Sequence, residues 1–311
     1  MKLPVYFNSK KSASLYGIVD HFHFLKNLYV KNGLPKVLML SGKKGSGKST
    51  LINHLMFYIF DKKNYDEKIY EFDCNSTFYK QFLNNIFSNI FYLSGSNYKN
   101  VSIEDIRNLK IKIHQTSIAD LPRFIILDDV ELFNNNSLSA LLKIIEEPSK
   151  NNYFLLINNK SKPLIDTIKS RCLEIKIILD ENKRLTIIDS LIKKFKISSI
   201  IDTKNSYITP GEFIKFNYLF SENKITLDGD YLKNLGILLN LYKKNKDSTL
   251  IDMILFLTNY YFNSLKNNNE FNNDKIIKCK SFVFESINDF FLYNLNQNAV
   301  LNNIYNKINN E

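Results

Sequence analysis

Gly42-Lys43-Lys44-Gly45-Ser46-Gly47-Lys48-Ser49 follows the apolar run Val37-Leu38-Met39-Leu40 and leads into an amphipathic stretch over residues 50–60. An apolar strand entering a glycine-rich loop that opens a helix is the form of a phosphate-binding loop, and the spacing G-x-x-x-x-G-K-[ST] is complete. Gly42, Gly45 and Gly47 let the loop curl until its N–H groups converge on an anion. Lys48 can then reach the β- and γ-phosphates, Ser49 can ligate Mg2+, and the helix N-terminus, continuing through Thr50, adds its partial positive charge. ATP or ADP with Mg2+ is the expected ligand. A glycine-rich turn without ligand is the bland alternative, and binding does not by itself entail hydrolysis.

Outward from this loop, short β-rich runs alternate with helical patterns, which predicts a parallel sheet covered by helices. Strands are expected at 37–41, 69–73, 124–128, 153–157 and 173–178, a five-stranded α/β core. Between the second and third, Ser102 and Asp105 have the spacing of a helix N-cap with its acidic third residue, and Ile103, Ile106 and Leu109 then share one face. Residues 75–98, aromatic and polar, read as helix plus loop. After residue 178 the strand signal fades: 181–195 reads as one helix, Pro210-Gly211 opens another running through 216, and long helical patterns fill the chain from 227. The expected division is an α/β core over 1–178, a small helical lid over 179–219 and an all-α region over 220–311. The asparagine-rich run at 267–273 reads as a loop between helices.

Composition sets looser bounds. The 311 residues carry 42 Lys+Arg against 31 Asp+Glu, a formal charge of +11 that favours a polyanionic partner such as DNA. The abundance of Asn, Lys and Ile throughout offers a compositional source for the same excess. Cys74, Cys172 and Cys279 are far apart and form no C-x-x-C pair, so neither a disulfide framework nor a four-cysteine zinc site is expected, in keeping with a reducing cytoplasm. Met1-Lys2-Leu3-Pro4 leads into polar sequence, so no signal peptide is expected. The apolar stretch 250–262 is interrupted by Asp252 and Asn259 and is too short to span a bilayer.

The second chemical motif is Phe124-Ile125-Ile126-Leu127-Asp128-Asp129, an apolar strand ending in acids. In a phosphate-loop fold, an acid at the C-terminal edge of this strand lies beside the loop and holds the Mg2+ shell, a role that falls to Asp128. A motor ATPase usually carries Glu next, to polarise the attacking water. Asp129 is one methylene shorter, enough to spoil an in-line geometry. A solvated cap at a strand end remains the alternative for each acid.

Asp128-Asp129-Val130-Glu131-Leu132, then Ser139-Ala140-Leu141-Leu142-Lys143-Ile144-Ile145-Glu146-Glu147-Pro148, then Phe154-Leu155-Leu156-Ile157, then Ser170-Arg171-Cys172 follow one order and spacing. The chain resembles the clamp-loader subunits of the AAA+ ATPases, to which the A-L-L-K-x-x-E-E-P and S-R-C pair is highly specific. Within that family it is most similar to the delta-prime type of bacterial DNA polymerase III. Asp at 129, Thr209-Pro210-Gly211 in place of S-P-G, and Asn294-Leu295-Asn296 near the end favour that type. The strong resemblance covers residues 35–180.

The resemblance implies roles. Arg171 would be an arginine finger acting in trans on nucleotide bound by a neighbouring subunit. Asn159 would sit at the sensor position, with Asn158 as its rival. Gly211 takes the place where active loader ATPases carry a second sensor arginine. Like Asp129, it implies a subunit of the polymerase III holoenzyme whose own ATPase activity is doubtful. The zinc module of many bacterial loader subunits has only Cys74 in the corresponding region, so no zinc is expected. The N-terminal Leu15-Tyr16-Gly17 and Asn32-Gly33-Leu34-Pro35 loosely follow the family's adenine side.

Implied partners are gamma/tau-like and delta-like loader subunits in a hetero-oligomer, with the sliding clamp and primed DNA reached through the complex. Residues 220–311 would be its oligomerisation collar, with Phe282, Phe284, Phe290, Phe291 and Tyr293 mostly in its core. A gamma/tau-like motor ATPase and a small-molecule P-loop kinase are the rival readings.

Overall fold

The computed structural model describes residues 4–96, 101–114, 121–149, 151–203, 206–267 and 273–309. The chain divides into two compact units, one comprising Met1–Lys196 with Ile208–Lys215, the other Ile197–Tyr207 with Phe216–Glu311.

In the first unit, helix α1 (Val19–Val30) precedes strand β1 (Val37–Ser41), and α2 (Lys48–Phe60) follows the glycine-rich loop. A two-stranded antiparallel ribbon, β2 (Tyr65–Asp66) with β3 (Glu71–Phe72), and the short α3 (Thr77–Leu83) lead to β4 (Ile90–Ser94). Helix α4 (Ile103–His114), β5 (Arg123–Asp128), α5 (Asn135–Ile145), β6 (Asn152–Asn158), α6 (Asp166–Lys169), β7 (Leu173–Lys176) and α7 (Glu181–Phe195) complete the alternation. The sheet has five strands in the order β4-β5-β6-β1-β7, and every pairing is parallel. β1 and β5 are buried at every position, as strands covered on both faces must be, which is why they read as unbroken apolar runs. α4 starts as its sequence predicts: the Ser102 N–H donates to Asp105 Oδ2 at 2.8 Å, and the Asp105 N–H donates back to Ser102 Oγ at 3.2 Å.

One strand expectation is corrected. Only Glu71–Phe72 of the 69–73 segment forms a strand, and it lies outside the main sheet. Its free edge is taken by the N-terminal segment, where Leu15 N–H donates to the Tyr70 carbonyl at 3.1 Å and Phe72 N–H to the Ala13 carbonyl at 3.2 Å. The fifth strand is β4, from the stretch read as helix plus loop. Its register sets Leu93 beside Leu127 and Ser94 beside Asp128.

The second unit is helical. After the first turn of α8 (Pro210–Glu222), which runs beyond its expected end at 216, come α9 (Tyr231–Asn245), α10 (Ser248–Asn267), α11 (Asn273–Tyr293) and α12 (Gln297–Asn309). Residues 268–272 of the expected asparagine-rich loop lie outside the described residues. Leu235, Leu238, Met253, Ile254, Val283 and Ile304 form the interior, and Tyr231 stacks on Tyr261 with ring centroids 4.3 Å apart. Of the five aromatic residues expected mostly in its core, Phe290 is buried, Phe282, Phe284 and Phe291 are half-buried and Tyr293 is exposed. The apolar stretch 250–262 lies within α10, and among the described residues no helix is long and apolar enough to cross a membrane.

Candidate functional site

β1 ends at Ser41 and hands the chain to the glycine-rich loop, which α2 closes. Gly47 is the residue before α2 and has φ +93°, a left-handed conformation that glycine adopts without steric cost. The Lys48 ammonium is buried and donates to the carbonyls of Gly42 at 2.8 Å and Lys43 at 2.7 Å. Burial lowers its pKa to about 8, with Asp128, Glu131, Asp129 and Glu212 pulling the other way. The loop is therefore a cradle with its cation already anchored at the base.

Asp128 stands at the end of β5, where Ser49 Oγ (3.2 Å) and Tyr92 OH (2.9 Å) both donate to its Oδ2. Burial, then the neighbouring Asp129, pushes its pKa up to about 6. A buried carboxylate beside a like charge favours an added cation, and the adjoining Ser49 hydroxyl would offer a second oxygen to a divalent ion held there. The residues present thus fit a magnesium nucleotide. A cavity of about 480 Å3 fronts them. Gly45, Lys48, Ser49, Thr50 and Asp128 line it together with the apolar and aromatic side chains of Tyr16, Ile187, Phe195 and Ile214. That size and mixed lining suit a small ligand with both charged and apolar parts.

Asp129 and Asn159 reach the same cavity. Asp129 has φ +51°, and its Oδ1 accepts the Asn159 side-chain N–H at 2.6 Å. Of the two asparagines, Asn158 instead serves the loop itself: its carbonyl accepts the Gly42 N–H at 3.1 Å. Gly42 and Arg171 do not line the cavity. Gly42 acts through its carbonyl on Lys48. Arg171, just past α6, is half exposed; its Nη2 lies 2.7 Å from Glu146 Oε1, and its Nη1 donates to the Thr167 carbonyl at 3.0 Å.

Gly211 sits on the loop. Its N–H donates to the Gly45 carbonyl at 2.9 Å, and Thr209 Oγ1 donates to the Lys44 carbonyl at 2.7 Å. A Cβ at Gly211 would lie 2.8 Å from Gly45 Cα, so only glycine allows this approach.

The family model described as "DNA polymerase III, delta subunit" matches residues 19–181, more than half of the chain and every strand of the sheet. The chain belongs to this family. A DNA polymerase III subunit delta' of Buchnera aphidicola subsp. Baizongia pistaciae (strain Bp) is 26% identical over 152 residues, 47% of this chain and 44% of that protein. The DNA polymerase III subunit delta' of Buchnera aphidicola subsp. Acyrthosiphon pisum (strain APS) is 28% identical over 194 residues, 59% of each chain. The DNA polymerase III subunit gamma of the same organism is 26% identical over 227 residues, 70% of this chain and 60% of that protein. The chain thus spans about half the length of the subunit delta' relatives it matches.

Several residues around this polymerase III delta-family site escaped the sequence reading. Tyr92 did so because its strand was missed. Its ring lies beneath the Lys10 ammonium, 4.4 Å from the centroid, and burial lowers the Lys10 pKa to about 8, against the opposing pull of Asp128. Glu131 stands in the motif over residues 128–132 without a signal of its own. It is buried, and its Oε1 accepts the N–H groups of Asn159 (3.1 Å) and Ser161 (3.3 Å) and the Ser161 hydroxyl (2.8 Å). It therefore holds the turn that carries Asn159. A lone acid three residues past Asp128 has no distinctive spacing of its own.

Proposed function

We propose that the chain is a delta-prime-like subunit of the polymerase III clamp loader. On this reading it binds ATP or ADP with Mg2+ but hydrolyses it poorly. It contributes Arg171 to a neighbouring ATPase subunit, so that the assembly places the sliding clamp on primed DNA in the cytoplasm. Residues 1–178 would be the nucleotide-binding core, 179–219 the lid and 220–311 the collar that joins gamma/tau-like and delta-like subunits. DNA and clamp are reached through the complex, to which the formal charge of +11 is suited.

The observation that carries this reading is the position of Arg171. It stands outside the chain's own cavity with its guanidinium half exposed, so the phosphate it can serve belongs to another subunit. A planar fork of donors suits phosphate oxygens. In the chain's own cavity, Lys48 and the loop N–H groups would hold the phosphates, while Ser49 and Asp128 would hold Mg2+, which supplies charge neutralisation when bound. Asp129 is engaged by Asn159, and Gly211 meets Gly45 backbone to backbone, which argues against a complete hydrolytic set. The intact loop favours a second reading, a gamma/tau-like motor ATPase. Family membership favours either loader reading over a P-loop kinase.

Reconstitution with candidate loader subunits, clamp and primed DNA tests the proposal. Arg171→Ala should leave folding, assembly and nucleotide binding by the chain intact while lowering clamp- and DNA-stimulated ATPase and loading. Fingers supplied in trans are worth roughly 10³–10⁵ in rate in GTPases, and less in a loader with its other fingers intact. Arg171→Lys should rescue poorly, because a point charge lacks the fork. An alanine variant that assembles and loads at the unmutated rate refutes the trans role. Robust, loop-dependent turnover by the isolated chain would favour the motor reading.

A further inference from the structure

The two sequence signatures that carry the family resemblance meet in space. Glu146 closes α5 as its C-cap residue, and Arg171 follows α6. Their anchors share one hydrophobic cluster: Ile144 and Ile145 at the end of α5 are buried together with Leu164 just before α6 and Ile168 within it. The two backbones are therefore fixed relative to each other, and the contact between Glu146 Oε1 and Arg171 Nη2 joins two firmly seated ends. The guanidinium is held from a second side by the Thr167 carbonyl, with the Ser170 hydroxyl at 3.4 Å.

A guanidinium carries five donors in a rigid plane. The Glu146 contact is a single one, through Nη2, and not the bidentate embrace that would occupy a whole edge of the fork. Nε makes no hydrogen bond among the described residues, and the side chain stays 36% exposed. A long side chain loses much rotamer freedom when it docks on a phosphate, and a partner that orients it beforehand removes part of that cost. Glu147, next in the chain, is exposed, and among the described residues Arg171 forms its ion pair with Glu146.

We infer that Glu146 is a positioning residue for the arginine finger: it holds the Arg171 guanidinium aimed outward, with donors left for phosphate oxygens on a neighbouring subunit's nucleotide. This rests on the trans reading of Arg171. Because the pair is partly exposed, its effect is modest, and because it acts on orientation, it belongs in the turnover rate and not in nucleotide affinity.

The test is steady-state ATPase of the reconstituted loader, with clamp and primed DNA, over a range of ATP concentrations. Glu146→Ala should lower kcat about two- to fivefold, the size of an exposed pair's contribution, with KM for ATP and subunit assembly unchanged. Glu146→Gln, which keeps a polar oxygen beside Nη2 but not the charge, should lose less, and Glu147→Ala should lose nothing. Adding Glu146→Ala to Arg171→Ala should cause no further loss. An unchanged kcat in Glu146→Ala beside a lowered one in Arg171→Ala overturns this inference and leaves the finger reading standing. A raised kcat would show that the pair restrains the finger and overturns it as well, as would additive losses in the double variant. If Arg171→Ala itself keeps full kcat, the finger reading fails, and Glu146 loses its role with it. Should Glu146→Ala fail to assemble, Glu146→Gln must show the fall in kcat alone or the inference is overturned.

Discussion

Replacing Gly211 by alanine puts the contact between α8 and the phosphate loop to a test of sign. Gly211 is the second residue of α8 and is not among the positive-φ residues. On backbone grounds alone, alanine there should stabilise the fold by about 0.4–1 kcal/mol, because it restricts the unfolded chain. The structure predicts the opposite. The new Cβ would lie 2.8 Å from Gly45 Cα and 2.9 Å from its carbonyl oxygen, both backbone atoms of a loop residue that itself has φ +77°. Neither can move without disturbing the loop, so the start of α8 must withdraw. Overpacking of this kind costs about 1–3 kcal/mol. Withdrawal also endangers the Gly211 N–H to Gly45 and Thr209 Oγ1 to Lys44 hydrogen bonds, each worth about 0.5–1.5 kcal/mol. Overpacking less the entropic gain leaves an expected net loss of about 1–2 kcal/mol, larger if the hydrogen bonds are lost as well, read from urea unfolding of the full chain. Stability equal to or above that of the unmutated protein would refute the close-approach argument. Gly211→Arg meets the same atoms at its Cβ, so on the proposed reading an arginine placed there should not confer turnover.

The phosphate loop predicts that ATP or ADP with Mg2+ raises the melting temperature, by an amount equivalent to about 2.7 kcal/mol at a hundredfold excess over Kd, and that Lys48→Ala abolishes the shift; no shift at millimolar nucleotide would leave the loop a structural turn. Asp129→Glu should leave ATP turnover negligible, since a longer side chain must break the 2.6 Å bond from Asn159 and no second sensor is gained; substantial turnover in that variant would show that the missing methylene alone silenced the site. His54, buried on α2 with its Nδ1 3.0 Å from Tyr65 OH, has its pKa lowered to about 4, chiefly by burial. The folded protein keeps it neutral while the unfolded chain protonates it near pH 6.5, so its effect is nil above that pH and stability is lost as pH falls from 6.5 toward 4, by about 3 kcal/mol at most. The difference in stability between His54→Asn and the unmutated protein should therefore shift in the variant's favour over that window, and a constant difference from pH 7 to pH 4.5 would contradict it.

Much of the first unit was legible because β1, β5 and β6 are covered on both faces and so spell themselves as apolar runs, while α4 and α7 announce themselves by Ser102 with Asp105 and by the helical spacing over 181–195. β4 was hidden for the complementary reason. It pairs only with β5, at the sheet's edge, three of its five positions are only half-buried, and Asn and Ser flank it. The alternating pattern at 69–73 mimicked a strand and does make one, but its partners are the ribbon and the N-terminal segment. The cavity's chemistry followed the same division. Lys48, Ser49 and Asp128 lie in contiguous motifs with fixed spacing. Tyr92 required the unseen strand, and the pairing of Glu146 with Arg171 joins residues whose separation in sequence carries no periodicity.

Phosphate binding and hydrolysis make different demands on such a fold, and on the proposed reading this chain meets the first and not the second. The cradle is built from residues that the sheet already needs: Gly42 is tied to the end of β6 through Asn158, and Lys48 is anchored on the loop's own carbonyls. Removing it would disturb the centre of the core. A hydrolytic site instead needs side chains from separate elements to converge on one attacking water. Here the positions available for that task have other work. Asp129 is bound to Asn159, whose turn is in turn held by Glu131. At 211 a glycine brings α8 into backbone contact with the loop, a place no arginine side chain can start from without displacing it. On the proposed reading this closeness is useful. A subunit that does not cycle its own nucleotide can remain a firm support, and the groups that would act on the neighbour, Arg171 and the Glu146 beside it, are mounted on the same hydrophobic cluster that seats α5 and α6.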